Sequence, residues 1–343
     1  MKALMLTAPN QFEYTDVPEP VIGPDEVLVH VKACGLCGSD VHGMDGSSGR
    51  RIPPLIMGHE AAGQIAALGP QVVDWQVGQR VTFDSTVYCG HCFFCRRGQI
   101  NLCDHRRVLG VSCADYRQHG ALAEYLAVPA RILYALPAEV PYSHGALVEP
   151  VSIAVHAASL VPPALDDTAV VVGAGMIGLL LIQVLRAAGC GQIIAVDINP
   201  WRLEQARAMG ASSALNPREA NVPAVVQQLT HGRRADLAFE VVGASATVQT
   251  AVNALRKGGR LALVGNLAPM VDLPLQAVVT RQLTLAGSAA SCGQYPACLN
   301  MMARGQINPA AIISAVAPLS EGAAWFDCLY RADENLLKVI LEP

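Results

Sequence analysis

Cys37 and the tripeptide Gly58-His59-Glu60, taken with Glu149, have the residue types of a catalytic zinc site. Zinc accepts thiolate sulfur, imidazole nitrogen and carboxylate oxygen in a tetrahedral shell, and a site that does chemistry keeps one position open for water or substrate. One Cys, one His and a carboxylate leave the ion more electrophilic than two thiolates would. Asp40, close behind Cys37 in the chain, is placed to orient His59 from outside the ligand shell. Ser39 and His42 follow Cys37 at positions where a proton could be passed outward. A lone Gly-His-Glu is more often an ordinary histidine, so the reading depends on what surrounds it.

A second set is more specific. Cys89, Cys92, Cys95 and Cys103 fall as C-x2-C-x2-C-x7-C, and four thiolates so close in sequence wrap one zinc with no open position, which makes a closed structural site. A four-Cys iron–sulfur cluster is the alternative with the same ligands. His91 and His105 read as bystanders, because four thiolates already complete the shell. Cys34 forms a C-x-x-C with Cys37 but reads as a small buried hydrophobe.

The third set is Gly173-Ala174-Gly175-Met176-Ile177-Gly178. A bare G-x-G-x-x-G is weak evidence; this one has a β-branched run before it, an apolar helical run after it, and Asp197 at the end of the next expected strand. The glycines allow a tight turn and close approach of backbone to a pyrophosphate at a helix N-terminus. Asp197 would accept from the adenosine ribose hydroxyls, and Arg202 is the nearby cation that could offset its repulsion of a 2′-phosphate. The expected cofactor is therefore NAD.

These residues need two kinds of scaffold. Residues 1–150 contain short β-rich segments, such as 26–32 and 63–68, separated by Pro and Gly turns. From 168 to 285 strands alternate with helical patterns, the mark of a parallel sheet. Strands are expected at 169–172, 192–196, 214–215, 236–242, 260–264 and 283–286, with a helix from an N-cap at Ser245 to a stop at Gly258. A helix is expected to open at Glu149-Pro150, with Pro150 at its first position. The tail holds helices over 295–304 and 320–331 and a strand over 337–341, and it is too short to be a domain, so it should pack back on the first one.

Composition sets the outer bounds. The 343 residues suit two domains. Only 15% are charged and the mean hydropathy is +0.34, yet the apolar run 168–185 is interrupted by glycines and reads as strand, loop and buried helix rather than a membrane span. A net charge of −4 with no basic run argues against a nucleic-acid partner. Arg50-Arg51, Arg96-Arg97, Arg106-Arg107 and Arg233-Arg234 read as solvated pairs. No secretory signal is apparent, and eleven cysteines then suggest metal or thiol roles, so the expected location is the cytoplasm. Asp115, Arg117 and His119 form a polar loop that could line a pocket or face water.

In order along the chain, residues 35–42, Gly58-His59-Glu60, the four-Cys lobe, Glu149-Pro150 and the 173–178 loop resemble the zinc-dependent medium-chain alcohol dehydrogenases, and within them the polyol and sugar-acid branch. The resemblance covers the whole chain. It implies an α/β protein with a GroES-like β-rich catalytic domain (1–152 and 288–343), a Rossmann doubly wound parallel sheet (153–287), an active site between them, and a homodimer or homotetramer. It implies catalytic roles for Cys37, Ser39, His42, His59, Glu60 and Glu149, with both carboxylates binding zinc directly or through water. Gly173, Gly175, Met176, Ile177, Gly178, Asp197 and Arg202 would hold NAD. Zinc favours the alkoxide of a secondary alcohol, which gives hydride to the nicotinamide. Gly43 departs from animal sorbitol dehydrogenases, which carry an aromatic residue there and lack the four-Cys lobe. The expected substrate is a sugar alcohol or sugar acid. A sugar-alcohol phosphate, which would need Arg50, Arg51 or Arg117 in the pocket, or threonine, are the alternatives within the family. Outside it stand a zinc-free quinone reductase, which the metal ligands argue against, and a non-catalytic NAD-binding protein.

Overall fold

The computed structural model describes residues 1–332 and 335–343. The chain forms two compact units, one of Met1–Glu149, Cys292–Ala303 and Ile312–Pro343, the other of Pro150–Ser291 and Arg304–Ala311. Each encloses its own hydrophobic core.

The first unit is built on a seven-stranded sheet. In its central strand β1 (Glu26–Gly35), Val27, Val29 and Val31 put β-branched side chains on one fully buried face, while His30 and Lys32 on the other are half-buried. That alternation suits a sheet with one face on a core. The strand runs past residue 32 to Gly35 because both of its edges are paired there. On one side lies β2 (Glu60–Leu68), in antiparallel register with Gly35 opposite Glu60. On the other lies the C-terminal strand Lys338–Glu342, with Gly35 opposite Ile340. The C-terminal strand thus belongs to this unit, whereas 304–311, within the tail expected to pack back on it, falls in the other. Beyond β2 the sheet continues through β3 (Arg80–Phe83). A single helical turn, α1 (Gly38–Val41), follows β1.

The helix that opens near Glu149, α2, spans Val148–Leu160. Pro150 is therefore its third residue rather than its first, still within the turn whose N–H groups have no intrahelical acceptor.

The second unit holds a six-stranded parallel sheet with strands β4 (Thr168–Val172), β5 (Gln192–Val196), β6 (Ser213–Leu215), β7 (Ala235–Glu240), β8 (Leu255–Leu263) and β9 (Thr284–Gly287), in spatial order β6-β5-β4-β7-β8-β9. The order reverses at β4, and that reversal is where open sheets of this kind bind ligands. All five residues of β4 are buried, as a strand covered on both faces requires. Residues 173–178 turn the chain from β4 into α3 (Met176–Ala187). Gly173 has φ of 104°, and a β-carbon on Gly178 would collide with the Gly173 carbonyl oxygen, so these two positions need glycine.

Two expectations are corrected here. The helix α4 (Ser245–Ala254) has Ala244, not Ser245, in the cap position. Thr247 Oγ1 accepts from the Ala244 N–H at 3.2 Å, while Ser245 Oγ accepts from the Asp272 N–H at 2.9 Å. Leu255, expected on this helix, instead starts β8, where it is fully buried and pairs with Ala235 ahead of a bulge. No described helix is long and apolar enough to cross a membrane.

Candidate metal centre

The register of β1 and β2 assembles the first ligand set. Since Gly35 stands opposite Glu60, the chain leaving β1 and the chain entering β2 lie side by side, which brings Cys37 to His59. Ligand atoms of Cys37, His59 and Glu60 all lie within 4.8 Å of one another. Asp40, buried in α1, faces His59 with Oδ2 at 3.2 Å from Nδ1, an approach within ion-pair distance but off the hydrogen-bond direction. With Nδ1 turned to Asp40, Nε2 is the nitrogen left for a metal.

Glu149, in the first turn of α2, is not among the three clustered residues. It lies deep in the protein yet keeps part of its surface open. Burial pushes its carboxyl up to about 7, and the Glu60 carboxylate adds to this against the opposing pull of His59 and Lys338.

Two charged residues of this centre were not expected. Lys338, at the start of the C-terminal strand and buried, donates to both Glu60 oxygens at 2.9 and 2.7 Å and to the Leu36 carbonyl at 2.7 Å. A signal was present: it is the one charge in the otherwise apolar run 336–341, and a lysine in a buried strand needs an acid within reach. Arg51 reads from sequence as solvated, but it is buried and holds Asp40 Oδ1 with Nε at 2.8 Å and Nη2 at 2.6 Å. Burial alone would raise the Asp40 carboxyl, but His59 and Arg51 keep it well below the ordinary range. Gly43 makes this possible, since a β-carbon there would lie 2.8 Å from Arg51 Cγ. Ser39 Oγ lies 3.4 Å from both Cys37 Sγ and Arg51 Nη2, and His42 is exposed at the end of α1.

The four lobe cysteines form the second set. Cys89 and Cys95 sulfurs are 3.9 Å apart, close to the tetrahedral edge of about 3.8 Å for zinc–sulfur bonds of about 2.3 Å. Backbone N–H groups of Cys92, Cys95 and Cys89 point at Cys89, Cys92 and Cys103 sulfurs at 3.3 to 3.5 Å. Such donors favour thiolates, and the Cys95 N–H leads in drawing Cys92 down to about 6. His91 and His105 stack on each other and stay outside the ligand set. Cys34 is fully buried.

At the cofactor end, Asp197 Oδ2 accepts from the Ala174 N–H at 2.8 Å and Oδ1 from Asn199 at 2.9 Å. The acid thus ties the 173–178 loop to the end of β5, with acceptor capacity left over. Gly175, Met176 and Ile177 are half-buried, and Arg202 is in the first turn of the next helix, Pro200–Ala208.

Residues 23–138 match the alcohol dehydrogenase GroES-like domain and residues 177–304 the zinc-binding dehydrogenase domain. The chain is 32% identical to a sorbitol dehydrogenase of Bacillus subtilis across 100% of its own length and 97% of that protein. It is 32% identical, with the same coverage, to a D-arabitol-phosphate dehydrogenase of Enterococcus avium. The chain belongs to the zinc-dependent medium-chain alcohol dehydrogenases. The galactitol-1-phosphate dehydrogenase of Escherichia coli superposes with a TM-score of 0.93 at 28% identity, over the full length of both chains.

As a member of this family the protein is a zinc- and NAD-dependent oxidoreductase of the polyol branch. Its own residues fit both metals: one thiolate, one imidazole and one carboxylate in one place, and a closed thiolate set in the other. The loop residues expected as pocket candidates are brought together only in part. His119 Nδ1 accepts from the Ile56 N–H at 3.2 Å, and Arg117 reaches Ser112 and the Pro53 carbonyl. Both line an apolar groove with Met1, Met5 and Val17, whereas Asp115 lines a different cavity.

Proposed function

We propose that the chain oxidises a secondary alcohol of a sugar alcohol or sugar acid to the ketone, reversibly, with NAD as hydride acceptor. The observation that carries this is the metal set itself: Cys37 is the one thiolate clustered with His59 and Glu60 among the described residues, and a second carboxyl, Glu149, lies close enough to feel the charges of both. The similarity to enzymes named for sorbitol, arabitol phosphate and galactitol 1-phosphate supports the same substrate class.

Zinc bound at Cys37 and His59 would polarise the substrate oxygen. The residues around it then have separate tasks. Asp40, fixed by Arg51, holds the His59 ring in one tautomer and orientation. Lys338 holds the Glu60 carboxylate next to the ligands through both of its oxygens. Ser39, against Cys37, takes the hydroxyl proton and His42, exposed to solvent, releases it. Glu149 would bind the metal directly or through water and accept a hydrogen bond from a substrate hydroxyl. Gly173 to Gly178 receive the pyrophosphate and Asp197 the adenosine ribose. We further place the protein in the cytoplasm as a homodimer or homotetramer.

Initial rates of NAD reduction by zinc-loaded protein on a panel of polyols, sugar acids, sugar phosphates, threonine and primary alcohols test the reading. A site that hydrogen-bonds several hydroxyls rejects analogues lacking them by factors on the order of 10⁴, so kcat/KM should be highest for a polyhydroxylated secondary alcohol. A primary aliphatic alcohol turned over more efficiently than all of these would overturn it.

A further inference from the structure

Beside the four-Cys lobe lies a cavity of about 470 Å³ whose wall includes His105, Arg106, Arg107, Tyr116 and Arg131. None of the residues assigned above to the catalytic metal or the cofactor lines it. Its cations differ in how far they are already engaged. Arg131 donates to the Tyr88 carbonyl at 2.9 Å and approaches Asp25 at 3.4 Å. Arg106 is the exception: its Nε is enclosed and meets no hydrogen-bond acceptor among the described residues. The acids that influence it, Asp84 and Glu149, act through space and not by hydrogen bond.

A guanidinium presents five donors in a planar fork that matches two oxygens of a carboxylate or phosphate. Enclosing one of these donors, here Nε of the half-buried Arg106, without an acceptor is unfavourable, and an oxoanion removes that penalty. Two neighbours point the same way. Burial first, and then the like charge of Arg50, pull the Arg106 pKa below its ordinary value, so an anion would relieve a repulsion between two cations. Tyr116 Oη already accepts from the Val108 N–H at 3.2 Å, which leaves its own O–H to donate. The wall also carries Asp104 and Asp115, but both are exposed at the surface, and three arginines outnumber them.

We propose that Arg106 is the anchor of an anion-binding site, taking a carboxylate or phosphate group with Tyr116 as a second donor. The anion is either the charged end of the polyol substrate or a free oxoanion. In the first case the site deepens the functional reading above; in the second it stands without it.

Titration calorimetry with inorganic phosphate on the zinc-loaded full-length protein tests the site without any turnover. Saturable binding is expected for the natural sequence, with Kd raised at least about tenfold in Arg106→Met. Arg106→Lys, which keeps the charge and loses the fork, should fall between them. Arg97→Gln, on the lobe surface where Arg97 packs over Phe93, should bind as the natural sequence does. No saturable binding by the natural sequence up to about 10 mM, or equal Kd in a folded Arg106→Met or Arg106→Lys protein, overturns the proposal. Kinetics then separate the sources. If Arg106→Lys raises KM for a sugar acid or polyol phosphate and not for the neutral polyol, the anion is the substrate's own. If neutral and anionic substrates respond alike while phosphate binding falls, the site takes a free oxoanion. Lack of turnover on every polyol would sink the functional reading and leave the phosphate result standing.

Discussion

Lys338 and Glu60 form the most consequential pair of single residues. Both are buried and lie 278 positions apart in the chain. Removing one partner of a buried pair leaves an uncompensated charge, at a cost of about 3–5 kcal/mol. Lys338→Met should lower stability by that amount in urea denaturation, and adding Glu60→Gln should recover part of it. A loss within about 0.5 kcal/mol would instead mean that the carboxylate is well solvated. At the other site, Asp197 accepts from the Ala174 and Asn199 N–H groups, and on the proposed reading its charge would meet a 2′-phosphate. Like-charge juxtaposition costs several kcal/mol, so kcat/KM should favour NAD over its 2′-phosphorylated form by at least about a hundredfold. Equal efficiency with both would remove Asp197 from the cofactor site.

Among the elements, the Cys89–Cys103 lobe and the β1–β2 pair do different work. The lobe contains two short turns of 3-10 helix, Cys95–Arg97 and Ile100–Leu102, and none of its four cysteines belongs to a sheet. Its order therefore depends on the metal, and binding energy at a closed site is folding energy. Metal analysis should give two zinc ions per chain, and Cys92→Ser should give one, with a lower Tm and with the remaining zinc still removable by Cys37→Ala. Loss of turnover at unchanged Tm in Cys92→Ser would contradict a structural role. The β1–β2 pair is different because its hydrogen bonds exist without metal, so Cys37 and His59 are held together in advance.

On the scale of the whole molecule, β9 pairs with β8 alone among the described residues and stands at the edge of the sheet. The segment before it leaves Met270, Leu275 and Val279 at 86, 61 and 68% exposure. An exposed edge strand with apolar neighbours is a template for pairing, and two copies related by a two-fold axis can satisfy each other's edges. Light scattering should return a multiple of the 36.1 kDa chain mass, and Leu275→Lys with Val279→Lys should shift it toward one chain. A monodisperse single chain without these substitutions would refute self-association through this edge.

The amino-acid sequence determined what depends on short-range spacing. Four cysteines within fifteen residues, glycines where β4 turns into α3, and an acid at the end of the following strand each constrain a few bonds of chain, so their geometry follows from their order. Strand 192–196 emerged with the same limits for that reason. The tertiary structure alone decided which charges are enclosed. Arg51 and Arg106 each sit in an Arg pair that reads as solvated. Packing turns one onto Asp40 and encloses the other against a cavity wall. Lys338 could have met any acid, and the register of three strands gives it Glu60. A charge's environment is set by chain segments far away in sequence, and no local pattern records which of them will arrive.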